Sequence, residues 1–437
     1  MPICARSLAG GPGLLASWLL ALGMLALGMW PLAAPAQDAP TLITSRADLL
    51  LALAHPAPGA VLSLGPGDYG DLVLQDFGGT PGAPVTLRAA DPAQPARFSG
   101  LDLRQAHHLV LDGLSFDYRF VAGDKPYKRP FALDDGTDVT IRHSHFVGDM
   151  AKGVSAKDDG YPTGFGLSFT RMAGVMLADS DIGSFYRGLV VSESSDVQIA
   201  GNDLHDLRMD GMDLAQVIRV TIAGNHIHDF IRVVDSPDHP DMIQFWTKGT
   251  KQPSHDIIIR DNILNSGKGW YTQSIFMRNE EVDQARAGPE MFYRNITIEQ
   301  NVIFNAQLHG ITVGETAGLV IRNNSVIRNA ASQGLANNPD LWTPQIRVAP
   351  KSTEVTIARN VTSKISGYSG QTDWTLADNF LIQDRSAARP GYYAQVFTAA
   401  GTGDLASFVY RTGGPLDGTG LGATILNHGK GLPAPGH

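Results

Sequence analysis

Groups able to move protons or hold charge gather between Asp210 and Lys351. Asp210 and Asp213 flank Gly211, and Asp235, Asp238, His239 and Asp241 crowd one short stretch. Arg278, Glu280, His309, Glu315, Arg347 and Lys351 follow. Histidines and arginines interleaved with carboxylates suit two chemistries. Removing a proton alpha to a carboxylate needs a cation on that carboxylate, a base for the proton and an acid for the leaving oxygen. Arg278 or Arg347 could supply the cation. His239 or His309 could act as base or acid, with Lys248 a further candidate base. Asp235, Asp238 and Asp241 could instead hold a Ca²⁺ ion that neutralises the carboxylate; no other cofactor is expected. The second chemistry, cleavage of a glycosidic bond by water, needs a carboxylate pair to activate the water across from an acid.

The elements that must position these groups come from a repeat. The pattern apolar-x-apolar-x-x-Asn-x-apolar fits VQIAGNDL (197–204), VTIAGNHI (220–227), IIIRDNIL (257–264), ITIEQNVI (296–303), LVIRNNSV (319–326), VTIARNVT (355–362, ending in Thr) and WTLADNFL (374–381). Earlier copies, VMLADSDI (175–182), VTIRHSHF (139–146) and LVLDGLSF (109–116), carry Ser or Leu in the Asn place. Alternating apolar residues mark a short strand with one buried face. The Asn after it suits a bend, since Asn tolerates the left-handed conformation. A unit this short cannot bury its own apolar face, so it must stack on its neighbours, about 4.8 Å per coil. Stacked Asn side chains can then bond along the axis as a ladder.

The segment after each bend is the exposed strand: GLVVSE (188–193), GMDLAQ (211–216), DMIQFW (241–246), SIFMRN (274–279), GITVGE (310–315) and QIRVAP (345–350). Its outward positions and adjoining turns would stack the titratable groups into one ribbon. Long loops at 148–164, 229–256, 266–295 and 327–354 belong on one face, often the binding face of a solenoid. Trp246, Trp270, Tyr271 and Trp342 are expected to meet sugar rings there, with Lys248 and Lys351 for acidic groups. His205, His226 and His228, beside the Asn bends, read as exposed polar residues and not as ligands.

The repeat resembles that of right-handed parallel β-helix (pectin lyase-like) proteins active on polysaccharides. It implies an all-β, single-stranded solenoid over residues 37–400, with handedness taken from the resemblance. The first coils resemble those of the chondroitinase B and alginate lyase family. There, as in TLITSRADLLLALAH (41–55) followed by Pro66-Gly67-Asp68-Tyr69 and Gly79-Thr80 with Pro84-Val85-Thr86-Leu87, a helix leads into the first turns. Leu49, Leu50 and Leu53 would form the apolar stripe of a capping helix over the open strand edge. The resemblance implies a uronate-containing acidic polysaccharide as partner, with proton abstraction at C5 ending in elimination or epimerisation. MDGMDL (209–214) and LHGITVG (308–314) resemble polygalacturonase motifs. That likeness implies a hydrolase using Asp210, Asp213, Asp241 and His309. A non-catalytic polysaccharide-binding solenoid would use the same aromatics and loops. Residues 401–437 lose the repeat, and RTGGPLDGTGLGATI (411–425) reads as a closing turn and final strand over the far end.

Composition sets outer bounds. The 437 residues are 43% hydrophobic and 18% charged, with 48 Gly and 26 Pro, which favours many short strands and turns. A formal net charge of -9 argues against nucleic acid as partner. Arg6, the apolar run from Leu14 to Leu32 and Ala34-Pro35-Ala36 read as a signal peptide over residues 1–36. Cleavage would remove Cys4, the only cysteine. The expectation is a periplasmic or secreted monomer without disulfides, free of the membrane once cleaved.

Overall fold

The computed structural model describes residues 41–233, 239–268, 272–332, 339–400 and 405–428. The expected leader lies outside them. Among the described residues no helix is long and apolar enough to cross a membrane.

Each coil places one short strand in each of three parallel sheets, of 13, 12 and 11 strands. One coil runs Ile218–Ala223, bends, continues as His226–His228, and returns as Asp241–Trp246 before the next begins at His255–Arg260. We call these the first, second and third sheets, in the order a coil visits them. Apolar alternation decides which face of the first sheet turns inward. Val220 pairs with Ile257, Ile257 with Ile296, Ile296 with Leu319 and Leu319 with Val355, and all five are buried. Each such side chain contributes about 1.5–3 kcal/mol by leaving water.

The Asn ladder is present. Asn225 Oδ1 accepts from the backbone N–H and side-chain amide of Asn202, at 3.0 and 2.9 Å. Asn262 does the same for Asn225, and the chain of amides continues through Asn301, Asn324, Asn360 and Asn379. Each amide also donates to a carbonyl of the neighbouring coil, as Asn262 Nδ2 does to Ile222 O at 3.0 Å. Ser180 and Ser144 extend the column: the Ser180 N–H donates to Asn202 Oδ1, the Ser144 N–H to Ser180 Oγ and the Leu114 N–H to Ser144 Oγ. One expectation is corrected: the left-handed residue of the bend precedes the Asn. Positive φ falls on Asp179, Gly201, Gly224, Asp261, Gln300, Asn323, Arg359 and Asp378. The ladder Asn is therefore selected by its amide, and the residue before it by its tolerance of the bend.

Both ends differ in detail from expectation. Thr41–Ile43 is a strand that pairs with Leu62–Leu64, and the helix covers only Arg46–Ala54, capped by Ser45. Leu49 and Leu53 are buried, but Leu50 faces solvent because the helix packs along a narrower stripe. The last strands are Trp374–Ala377 and Phe380–Leu381. The chain beyond them forms no final strand over 411–425. It lies against outward apolar residues of the second sheet instead, with Phe397, Phe408, Tyr410 and Leu416 packed among Ile263, Val302, Phe304 and Ile327.

The ladder yields a test. Asn262→Ala strands the Asn225 N–H and the Ile222 carbonyl in the core, at about 1–3 kcal/mol for each buried group left unbonded. Asn262→Ser, which keeps an acceptor as Ser180 does, is expected to lose clearly less. Urea unfolding of the two variants measures the difference.

Candidate active site

The third sheet carries the ribbon of candidate residues. One outward column runs Val190, Asp213, Gln244, Phe276, Thr312, Arg347, Ser366 on consecutive coils. A second begins three residues earlier on each strand as far as His309, where the register shifts by one. Phe165 pairs there with Arg187, Asp241 with Gln273, and His309 with Gln345. Extending the register places Asp210 between Arg187 and Asp241. The residue before each strand glycine thus becomes a site position: Arg187 before Gly188, Asp210 before Gly211, His309 before Gly310. The glycines are needed because coils approach closely. A Cβ at Gly188 would sit 2.6 Å from Gly211 O, and one at Gly211 would sit 2.4 Å from Met242 O.

These columns form two separate clusters. In the first, Arg187 lies between two carboxylates. Its Nε is 2.9 Å from Asp210 Oδ2, without hydrogen-bond alignment, and Nη1 meets Asp213 Oδ2. Asp210 Oδ1 accepts from the Asp241 backbone N–H at 3.1 Å. Asp241 Oδ2 accepts from Gln244 Nε2 at 2.7 Å, while its Oδ1 is buried with no hydrogen bond. The Trp246 indole N–H donates to Asp213, and Phe165 lies beside the Arg187 guanidinium. Burial raises the Asp241 carboxyl well above the usual range, and the Asp210 and Asp213 charges raise it further. Burial also raises Asp213, against the pull of Arg187. Burial and its acidic neighbours thus bias Asp241 toward its protonated form. Asp210, Asp213 and Asp241 are only 1%, 2% and 0% exposed.

The second cluster is open. A cleft of about 410 Å³ is lined by Phe276, Arg278, His309, Thr312, Arg347 and Ser366, among others. The His309 ring stands edge-on to Phe276, centroids 4.8 Å apart, and its Nδ1 is 2.7 Å from Thr312 Oγ1. Burial, aided by the charge of Arg347, lowers His309 to about 4, so the imidazole is neutral at neutral pH. Arg278 is tied to Asp283 at 2.9 Å. Arg347 has no carboxylate partner among the described residues. The cleft therefore holds a neutral imidazole beside a guanidinium that is unpaired among the described residues.

The expected single site is thus corrected. Asp241 and His309 stand two coils apart, roughly 10 Å at the strand spacing. His239 is exposed, while Asp241 turns inward onto its acidic neighbours. Trp246 is half-buried and committed to Asp213, so it seals the acidic cluster and is not a free sugar platform. Lys248 and Lys351 are exposed, Glu315 is buried, and Glu280 accepts from the Thr247 N–H at 2.9 Å. Trp342 is partly buried on a short helical turn. Asp235, Asp238, Trp270 and Tyr271 lie outside the described residues, and with them the two dedicated ligands of the expected Ca²⁺. Sequence reading missed Arg187, Gln244, Phe276 and Thr312. Arg187 could have been found from its place before a strand glycine, which it shares with Asp210 and His309.

Fold and repeat define a right-handed parallel β-helix. The chain belongs to the family described as the right handed beta helix region, whose model matches residues 133–369. No curated protein matches it. Among solved structures it is similar to the PL6 family alginate lyase AlyGC, at 14% identity and a TM-score of 0.46, over 81% of this chain and 53% of that one. It thus spans about half the length of that lyase. It is also similar to PfbA, a surface adhesin of Streptococcus pneumoniae (11% identity, TM-score 0.47, 77% of this chain and 86% of that one). Pectate lyase Pel9A is a third (14%, TM-score 0.40, 84% of each chain). At these values the likeness says nothing of this chain's chemistry.

The acidic cluster gives two expected outcomes. Arg187→Met leaves buried carboxylates without their cation, and denaturant unfolding should show a loss of about 3–5 kcal/mol. The folded Asp241 carboxyl titrates above its unfolded value of 3.8, so the native state holds the extra proton and stability falls as pH rises through that window. Asp241→Asn should remove this slope. The variant should be at least as stable as the parent at neutral pH, with a flatter profile above the unfolded value of 3.8.

Proposed function

We propose that the protein is an exported enzyme that removes the C5 proton of a uronate residue in an acidic polysaccharide. One observation carries the reading: in an open cleft on the third sheet, neutral His309 stands beside Arg347, whose guanidinium is unpaired among the described residues. Arg347 binds the uronate carboxylate and stabilises the charge that spreads onto it as the C5–H bond breaks. His309 takes the proton. With Nδ1–H donated to the Thr312 hydroxyl, Nε2 carries the free lone pair. A bound carboxylate also cancels the Arg347 charge that helps hold His309 low, so substrate binding raises the base toward working pH. In elimination, the C4–O4 bond then breaks, a C4=C5 double bond forms, and O4 receives a proton. In epimerisation, C5 regains a proton on its other face. A Ca²⁺ ion held by Asp235 and Asp238 would further neutralise the carboxylate.

A hydrolase is the second reading, favoured by the meeting of Asp210, Asp213 and Asp241. Against it stands their burial. A carboxylate pair acting on water needs water and a sugar between its members, and Arg187 and Trp246 fill that place.

Incubation with alginate, pectate and glycosaminoglycans, with and without chelator, distinguishes the outcomes. Ultraviolet absorbance from an unsaturated uronate marks a lyase, and a changed residue ratio by NMR without chain cleavage marks an epimerase. New reducing ends without absorbance would sink the proposal in favour of hydrolysis, and retention on a polymer column without turnover would sink it in favour of binding alone. On the active polymer, His309→Ala should lose about 10²–10⁴-fold in kcat, while Asp241→Asn stays active. The acid limb of kcat/KM should lie near the His309 value of about 4 and move up in pH in Arg347→Met.

A further inference from the structure

On the second sheet, on a different face from the cleft, histidines and aspartates alternate up the coils. Asp181 pairs in register with Asp203, and Asp203 with His226; beside them Gly183 pairs with His205, and His205 with His228. His226 and His228 are two apart on one strand, so both rings project from the same face. They were expected to be exposed. Instead their side chains keep only 15% and 7% of their surface, and the rings stack with centroids 4.0 Å apart.

Three of these groups converge. Asp203 Oδ1 is 2.9 Å from His228 Nε2 and 3.4 Å from His226 Nδ1. One ligand atom from each of the three lies within 4.8 Å of the others. Nitrogen and oxygen ligands at about 2.0–2.1 Å around a tetrahedral ion stand roughly 3.3 Å from one another, close to the two edges found. The surroundings fit as well. A metal-bound histidine commonly gives its other ring N–H to a carboxylate, and His228 Nδ1 lies 2.7 Å from Asp229 Oδ2. Two imidazoles and one carboxylate favour zinc and its first-row neighbours over Ca²⁺ or Mg²⁺, which take all-oxygen sites.

We propose that Asp203, His226 and His228 bind one first-row divalent transition-metal ion of the zinc type, linking two adjacent coils of the second sheet. The site is independent of the C5 chemistry, and Asp229 orients His228 from its other ring nitrogen.

Full-length, tag-free protein is titrated with Co²⁺ and followed by its visible d–d absorption, then competed with Zn²⁺. One equivalent of Co²⁺ should give the band, Zn²⁺ should remove it, and Zn²⁺ should raise the melting temperature. Asp203→Asn and His226→Ala should each weaken binding at least about tenfold, and Asp229→Asn, which leaves all three ligands, by about 10–100-fold. Far-ultraviolet circular dichroism shows that each variant is folded before its affinity is compared. Absence of the band in folded wild-type protein overturns the proposal, as does equal affinity in the wild type and the folded variants.

Discussion

Coils stacked at the spacing of backbone hydrogen bonds leave, at every bend, an N–H and a C=O shut away from water. The column from Asn202 to Asn379 answers both. Its carbonyl oxygens accept from the coil before, and its amide N–H groups reach a backbone carbonyl there and the next Asn in the column. A side chain one methylene longer or shorter would not bridge the same step. Since a lost bond in this setting costs the full desolvation of the stranded group, the ladder holds successive coils in one register. The rest of the molecule inherits that register.

The inheritance is direct on the third sheet. Residues on different coils meet only if they occupy the same column or adjacent ones, and their distance along the axis is set by the number of coils between them. Asp210, Asp213 and Asp241 fall on adjacent coils and so share Arg187, while His309, Thr312 and Arg347 fall further along and share the cleft. The two clusters differ by solvent access. The carboxylates beside Trp246 are buried with a fixed partner in Arg187, whereas an imidazole at an open cleft can exchange its proton with a ligand. The same logic on the second sheet brings Asp203 to His226 and His228.

Much of the fold was legible because its signals are local. Alternation such as Val220, Ile222 and then Asn225 reports a buried strand face and a bend, and repetition reports stacking. Misreadings arose where a local signal had two uses. Asn was assigned the left-handed bend, but residues such as Asp261 and Gln300 take it. The leucines of the first helix gave its existence but not which of them would be covered. His226 and His228 looked exposed because Asp203, which engages both, lies on the preceding coil.

The site was legible by residue and not by grouping. The strand alignment placed Asp213, Arg347 and their neighbours on one outward ribbon, since strand direction follows from alternation alone. It could not say that His309 would face Arg347 while Asp241 faced Asp210, nor that Arg187 would join the carboxylates. Those outcomes depend on loop lengths between coils, on close approach at Gly188 and Gly211, and on which side chains cover which. By itself the sequence determined the solenoid, its core and the chemistry available on its surface, because each follows from spacing along the chain. The tertiary structure alone decided which charges meet, which are sealed and which stay open, because burial and pairing are properties of groups that stacking brings together from distant coils.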